Sequence, residues 1–263
     1  MLKMIIESWK KDGMSRDAFI DYLANVHGPL VRQHGRALGF RKYVQNLRLP
    51  SREIDDFGAG RGWAEAPDSS VEIWFDSIES LQAAFASPEG RAAGALLEVD
   101  ERQFVDPARV SAFLSTEEVV FDFLAPGQHL APDSELVKMV VQVWKKPDMT
   151  TEAFQTRWRV GHGDLVRENS RSMGFLRYVQ SYPVSCAEID GFAKARGWRQ
   201  APDGLTEVWW DSEAGMIETF KSEATARSSA ILAEDEVKFI DPPKISAFLA
   251  REHVVFDDTR ELV

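Results

Sequence analysis

Apolar and polar positions first alternate along this chain, then recur at three- and four-residue spacing, and the whole sequence of patterns is written twice. Residues Lys3–Lys10 (KMIIESWK) are β-branched and apolar with polar breaks, which predicts a strand. Ser15 follows as a helix N-cap, with Asp17 in the first turn. Phe19, Leu23 and Val26 then repeat at spacings of four and three, the period of a helix with one buried face. Gly28-Pro29 disturbs that helix, Leu30 and Val31 resume it, and Gly39 ends it. A second strand is predicted over Phe40–Leu49, a long polar loop over Pro50–Asp68, and a third strand over Val71–Asp76. Residues 77–104 are alanine-rich and helical, with Pro88 opening a new helix, and Arg109–Phe121 forms the last strand.

Shifting the chain by 135 residues lays 2–122 on 137–257 without a gap, and about 40% of the positions are identical. The pattern therefore predicts a tandem duplication: a domain over 1–122, a Pro- and Gly-containing linker over 123–135, and a second domain over 136–258. The order β-α-β-β-α-β is ferredoxin-like, with helices on one face of the sheet only. The open face needs a cover, and the duplicate can supply it. The expected fold is α+β: two tandem ferredoxin-like domains packed sheet to sheet as an intrachain dimeric α+β barrel.

Charge and composition narrow the function. A formal charge of −11 over 263 residues argues against nucleic acid or an anionic membrane as partner. No apolar run reaches the roughly 18 residues a membrane span requires, and the charged start MLKMIIESWKKDG is no signal-peptide core. Cys186 is the only cysteine, which excludes an internal disulfide and a cysteine-built metal site; a reducing, cytoplasmic setting is the simplest reading. No phosphate loop, dinucleotide fingerprint, serine elbow or zinc signature is present. A small-molecule substrate is the expected partner, and a homodimer of the two-domain chain is compatible with all of this.

The spaced motifs FxxYxxxxHGPLV, GFxxYVQN, VEIWFDS, FVDP and EEVVF resemble the EthD family of dimeric α+β barrel proteins. The second copy carries them as FxxxWxxxHGDLV, GFxxYVQS, TEVWWDS, FIDP and EHVVF, with Asp164 for Pro29 and Ser181 for Asn46. If the proline bend places the histidine, this departure puts the second site in doubt. The resemblance implies the barrel fold. It also implies relatives that include cofactor-free isomerases, cyclases, dehydratases and small monooxygenases acting on aromatic or lactone compounds, together with haem-binding branches.

His27 and His162 lead the candidate catalytic residues, because a neutral imidazole can take and return a proton near pH 7. The alternative is a histidine that ties its helix to the sheet. Tyr43 and Tyr178, on the following strand, can donate to a developing enolate or can simply be core. Glu72 and Glu207 share a strand face with Trp74/Trp209 and Asp76/Asp211, expected to point into the barrel. There they are either bases of raised pKa or members of a salt bridge with Arg41, Lys42 or Arg177. Trp9, Trp74, Trp144 and Trp209 are candidate pocket walls. The repeated stretch 53–68, with Arg61 and Trp63, reads as an ordered lid in both copies, in which Arg61 or Arg196 meets a substrate carboxylate or pairs with Asp55 or Asp190. His34 lies seven residues beyond His27 and has Asn169 as its counterpart, so the first copy is favoured as the working one.

Three readings follow. The first is a lyase or isomerase without cofactor or metal, acting on a small apolar, aromatic or lactone-like compound. The second is a haem or oxygen-handling barrel with His27 or His34 on the iron. The third is a non-enzymatic binding module.

Overall fold

The computed structural model describes residues 1–131 and 134–259. The first half comprises strands β1 (Leu2–Ser8), β2 (Lys42–Arg48), β3 (Ser69–Phe75) and β4 (Ser111–Asp122). Its helices are α1 (Arg16–Tyr22), α2 (Gly28–His34), α3 (Arg52–Gly60), α4 (Ile78–Ala86) and α5 (Pro88–Phe104). The second half repeats the strands as β5 (Val137–Val143), β6 (Arg177–Val184), β7 (Gly204–Trp210) and β8 (Ser246–Asp257). Its helices are α6 (Thr151–Thr156), α7 (Gly163–Asn169), α8 (Ala187–Ala195), α9 (Glu213–Phe220) and α10 (Glu223–Glu236).

The eight strands close one antiparallel barrel in the order β1-β3-β2-β8-β5-β7-β6-β4. The longest strands perform the closure. β4 pairs through Ser111–Ser115 with β1 of its own half and through Leu114–Asp122 with β6 of the other. β8 does the same with β5 and β2. β4 changes partner at Leu114–Ser115, and a register shift between Val119 and Phe121 interrupts its pairing with β6. The two α+β units thus form, within one chain, the dimeric type of α+β barrel that the repeat predicts.

Alternation along β1 sends Lys3, Ile5 and Glu7 inward and Met4 and Ile6 outward onto the helices. The barrel interior is filled. Ile5, Phe113, Val140 and Phe248 form its apolar middle, and an ionic layer lies on one side of it. There Lys3 Nζ meets Glu207 at 2.6 Å and Glu117 at 2.8 Å, while Lys138 Nζ meets Glu72 at 2.8 Å, Glu252 at 3.1 Å, and Glu207. Glu72 and Glu207 do face the interior, but their partners are these two lysines rather than Arg41, Lys42 or Arg177. Burial and the nearby Glu207 push Glu72 up to about 7; Glu207, equally buried, is held well below the carboxylate range by Lys138 and Lys3.

Two local expectations change. The stretch Pro50–Asp68 is not a continuous loop, because Ser51 accepts a bond from Ile54 N and caps α3, which packs on the barrel through buried Ile54. The expected linker falls partly on residues 132 and 133, which lie outside the described residues. Within it, Gly127 adopts a left-handed conformation (φ 72°) before a short turn, Gln128–Leu130, that sets His129 edge-on to Trp209. Among the described residues, no helix is long and apolar enough to cross a membrane.

Candidate active site

The helix leaving the first strand of each half widens into a π turn just before its histidine, Leu23–His27 and Arg157–His162. One extra residue in the turn rotates the helix face by about 100°. Val26, expected on the buried face, is therefore 45% exposed, and His27 turns inward at 5%. The wide turn frees Leu23 O to accept from both Gly28 N and Gln45 Nε2, the latter at 2.8 Å. A Cβ on Gly28 would stand 3.3 Å from Gln45 Nε2, so glycine keeps the helix close to β2. Gly163, Trp158 O and Gln180 Nε2 repeat the arrangement. Since Asp164 replaces Pro29 there, the turn does not depend on the proline.

Turned inward, each imidazole meets an acid that the motifs did not single out. His27 Nδ1 lies 2.8 Å from Asp100 Oδ2 on α5, and Tyr22 OH donates to Asp100 Oδ1 at 2.8 Å. In the second half His162 Nδ1 lies 3.1 Å from Asp235 Oδ2, and Arg157 takes the place of Tyr22 on Oδ1. Burial pushes Asp100 up, but the His27 and Tyr22 bonds outweigh it and hold the carboxyl below its usual value. Burial lowers His162 despite Glu236 and Asp235 beside it. The Tyr43 ring centroid is 6.5 Å from that of His27. Burial, then the Glu101 carboxylate, raise its phenol well above the ordinary value, and burial raises Tyr178 likewise. Both phenols remain donors at neutral pH.

These groups border cavities on the outer face of the barrel, between its wall and the helices. In the first half a lobe of about 400 Å³ and another of about 130 Å³ share His27, Tyr43, Glu98, Glu101, Arg196 and Trp198 as common wall. The equivalent space beside His162 and Tyr178 is about 90 Å³. There Trp158 stands for Leu23, Trp210 for Phe75 and Met173 for Leu38, so larger side chains occupy the room.

The halves exchange lids. Phe192 and Arg196 of the α8 segment, with Trp198, close the first-half cavity, whereas Phe57, Arg61 and Trp63 of the α3 segment close the second. The strand exchange explains this: β6 pairs with β4, so the chain leaving β6 runs over the other half. Arg196 bonds to Glu101 and approaches Glu98 at 3.5 Å; Arg61 pairs with Glu236 at 2.5 Å and with Ser229 Oγ at 2.9 Å. Neither uses the expected aspartate, and Asp55 pairs with Arg48 instead.

The remaining expected residues lie apart from these cavities. His34, at the end of α2, does not line either first-half lobe. Glu72 and Glu207 belong to the ionic layer, whose Glu117 and Glu252 accept from Trp74 Nε1 (2.9 Å) and Trp209 Nε1 (3.0 Å). Trp9 is stacked under Arg199 at 3.8 Å, and Trp144 lies 5.8 Å from Lys244 Nζ. Of the tryptophans singled out, Trp63 alone lines a cavity described here, and it is the other half's. Among the described residues, no three His, Cys, Asp or Glu side chains converge on a metal position. The residues present do not fit a haem either: its propionates would meet Glu98 and Glu101 on the shared wall, where Arg196 is already paired with Glu101.

An EthD domain model matches residues 11–108 and 146–243. No curated protein matches the chain. Among solved structures the fold is similar to that of an anthrone oxidase-like protein, with a TM-score of 0.58 at 10% identity, covering 100% of this chain and 96% of that one. An ethyl tert-butyl ether d (EthD) family protein from Bacillus halodurans is 22% identical with a TM-score of 0.32, over 45% of this chain and 100% of its own. A dye-decolorizing peroxidase from Bacteroides thetaiotaomicron is 8% identical with a TM-score of 0.46, over 95% of this chain and 92% of its own. With matched segments spanning most of both halves, the chain belongs to the EthD family, as a tandem two-domain member.

Proposed function

We propose that the first-half cavity performs general acid–base catalysis on a small, largely apolar compound carrying a carbonyl or hydroxyl oxygen. The reaction is an isomerase-, cyclase- or dehydratase-type proton transfer that uses no added cofactor. The supporting observation is the His27–Asp100 pair at 2.8 Å on the wall of a cavity otherwise lined mainly by apolar side chains. With Nδ1 held by Asp100, Nε2 is the atom left to take the substrate proton and return it at another position. Tyr43 donates to the oxygen on which charge develops, and the apolar walls strengthen that bond by excluding water. Asp100 acts through His27 and is a positioning residue. The bulk of Trp158 and Trp210 favours the first half over the second as the working site. The single cysteine, Cys186, is in keeping with a cytoplasmic setting.

Proton transfer can be read without knowing the product. Incubating the protein in D₂O with a panel of cyclic ketones, lactones and hydroxyaromatic compounds, followed by NMR, should show deuterium entering beside the oxygen-bearing carbon of one class. Exchange that appears only after haem, flavin or a metal is added would overturn the cofactor-free reading. The fold likeness to an anthrone oxidase-like protein motivates a second reading, in which the deprotonated substrate reacts with O₂; oxygen uptake in the same incubations tests it.

A further inference from the structure

Resting on that acid–base reading, we infer that the substrate is a two-winged apolar molecule. A larger and a smaller ring system are joined at the oxygen-bearing carbon that His27 and Tyr43 address. The two lobes diverge from a shared wall, and that wall holds His27, Tyr43, Glu98, Glu101 and Arg196. Beyond it the larger lobe is bounded mainly by Val31, Leu38, Phe40, Ile73 and Phe85, and the smaller by Leu23, Val71, Phe104, Val105 and Val110. Polar groups are concentrated at the waist, and apolar surface extends to both sides. A cavity of about 150 Å³ lined by apolar side chains holds a benzene. A lobe of about 130 Å³ therefore suits one six-membered ring, and a lobe of about 400 Å³ suits two or three fused rings.

Comparison of the halves supports both wings independently. The larger lobe is open along α5 at Gly94, where an added Cβ would meet only Leu38 at 3.7 Å. Its counterpart is Ser229, which lines the second-half cavity and is engaged by Arg61 through O at 3.1 Å and Oγ at 2.9 Å. The smaller lobe is open because Leu23 stands where the second half has Trp158. Small residues on both sides of the histidine thus hollow out two spaces in the first half that the second half fills.

The test is binding of phenyl 2-naphthyl ketone and methyl 2-naphthyl ketone to the full chain, measured by equilibrium dialysis. The two share a bicyclic wing and a carbonyl, but the second lacks the phenyl wing. The wild type should bind the phenyl ketone at least tenfold more tightly. The Leu23→Trp/Ser69→Gly double variant, which copies the second half, should lose that advantage while binding the methyl ketone unchanged. Gly94→Phe, a helical position whose Cβ would meet only Leu38 at 3.7 Å, should weaken both ketones at least tenfold. Trp158→Ala should alter neither. Equal affinities in the wild type, no binding of either ketone, an advantage that survives the double variant, or a gain with Trp158→Ala would each overturn the inference. His27→Asn should keep the phenyl preference; if it does while wild-type protein shows no proton exchange, the catalytic reading falls and the two-winged cavity stands.

Discussion

The indole of Trp158 occupies the space above Gly204 so fully that a Cβ on the glycine would lie 2.4 Å from Trp158 Cζ3. In the first half the corresponding pair is Leu23 and Ser69, a smaller residue on the helix facing a larger one on the strand. The halves have exchanged bulk across one contact, and that exchange keeps one cavity open and fills the other. Gly204→Ser should therefore destabilise the protein by about 1–3 kcal/mol through overpacking. Ser69→Gly, which gives up only the 2.9 Å bond between Ser69 and Ser8 hydroxyls, should cost about 1 kcal/mol. Urea unfolding midpoints of the two variants check the order; equal midpoints would mean that Trp158 can move aside.

Asp100 fixes which imidazole nitrogen of His27 is free, so its amide variant should keep the cavity and lose the tautomer. Asp100→Asn is expected to lower kcat about 100-fold or more with little change in KM. Asp235→Asn should leave both parameters within about twofold if the first half does the work. A rise in KM with kcat intact in the Asp100 variant would assign the carboxylate to binding or packing instead.

Glu7 is fully buried in the barrel, where Ser111 Oγ bonds it at 3.1 Å and its counterpart is the neutral Gln142. Burial raises its carboxyl from 4.5 to about 7. Between those values the folded chain holds a proton that the unfolded chain has released, so stability falls as pH rises through this window. The drop from Glu7 between pH 4.5 and 8 should be on the order of 2–3 kcal/mol. Glu72, also raised to about 7, adds to the same slope. Glu7→Gln should flatten the pH dependence and raise the unfolding midpoint at pH 8, and an unchanged slope would show that Glu7 stays charged in the fold.

Much of the architecture is legible in the sequence because the 135-residue shift fixes the repeat and the alternation in VEIWFD fixes which face of β3 carries Glu72. Its buried partners are not legible, since Lys3 and Lys138 reach Glu72 and Glu207 only after β4 and β8 cross between halves. For α3 the Ser51 cap and the acids Glu53 and Asp55 are ordinary helix-start signals, but Gly58 and Gly60 weigh against a helix and packing on the barrel decides it. Val26 fails as a core residue because helical spacing assumes 3.6 residues per turn and the π turn breaks that period. Asp100 and Asp235 each stand 73 residues beyond their histidine in both copies, a repeat that is visible in the sequence. Three helices and two strands intervene, so the identity alone gave no reason to pair them. The exchanged lids are harder still, because a repeat does not say which half a segment covers.

The most direct test of the account compares deuterium exchange rates of His27→Asn and His162→Asn in the substrate class that the wild type exchanges. Catalysis by the first half predicts at least a 100-fold loss for His27→Asn and a rate within about twofold of wild type for His162→Asn, with both variants folded as judged by their unfolding midpoints. Equal losses in the two variants, or a loss confined to His162→Asn, would contradict it.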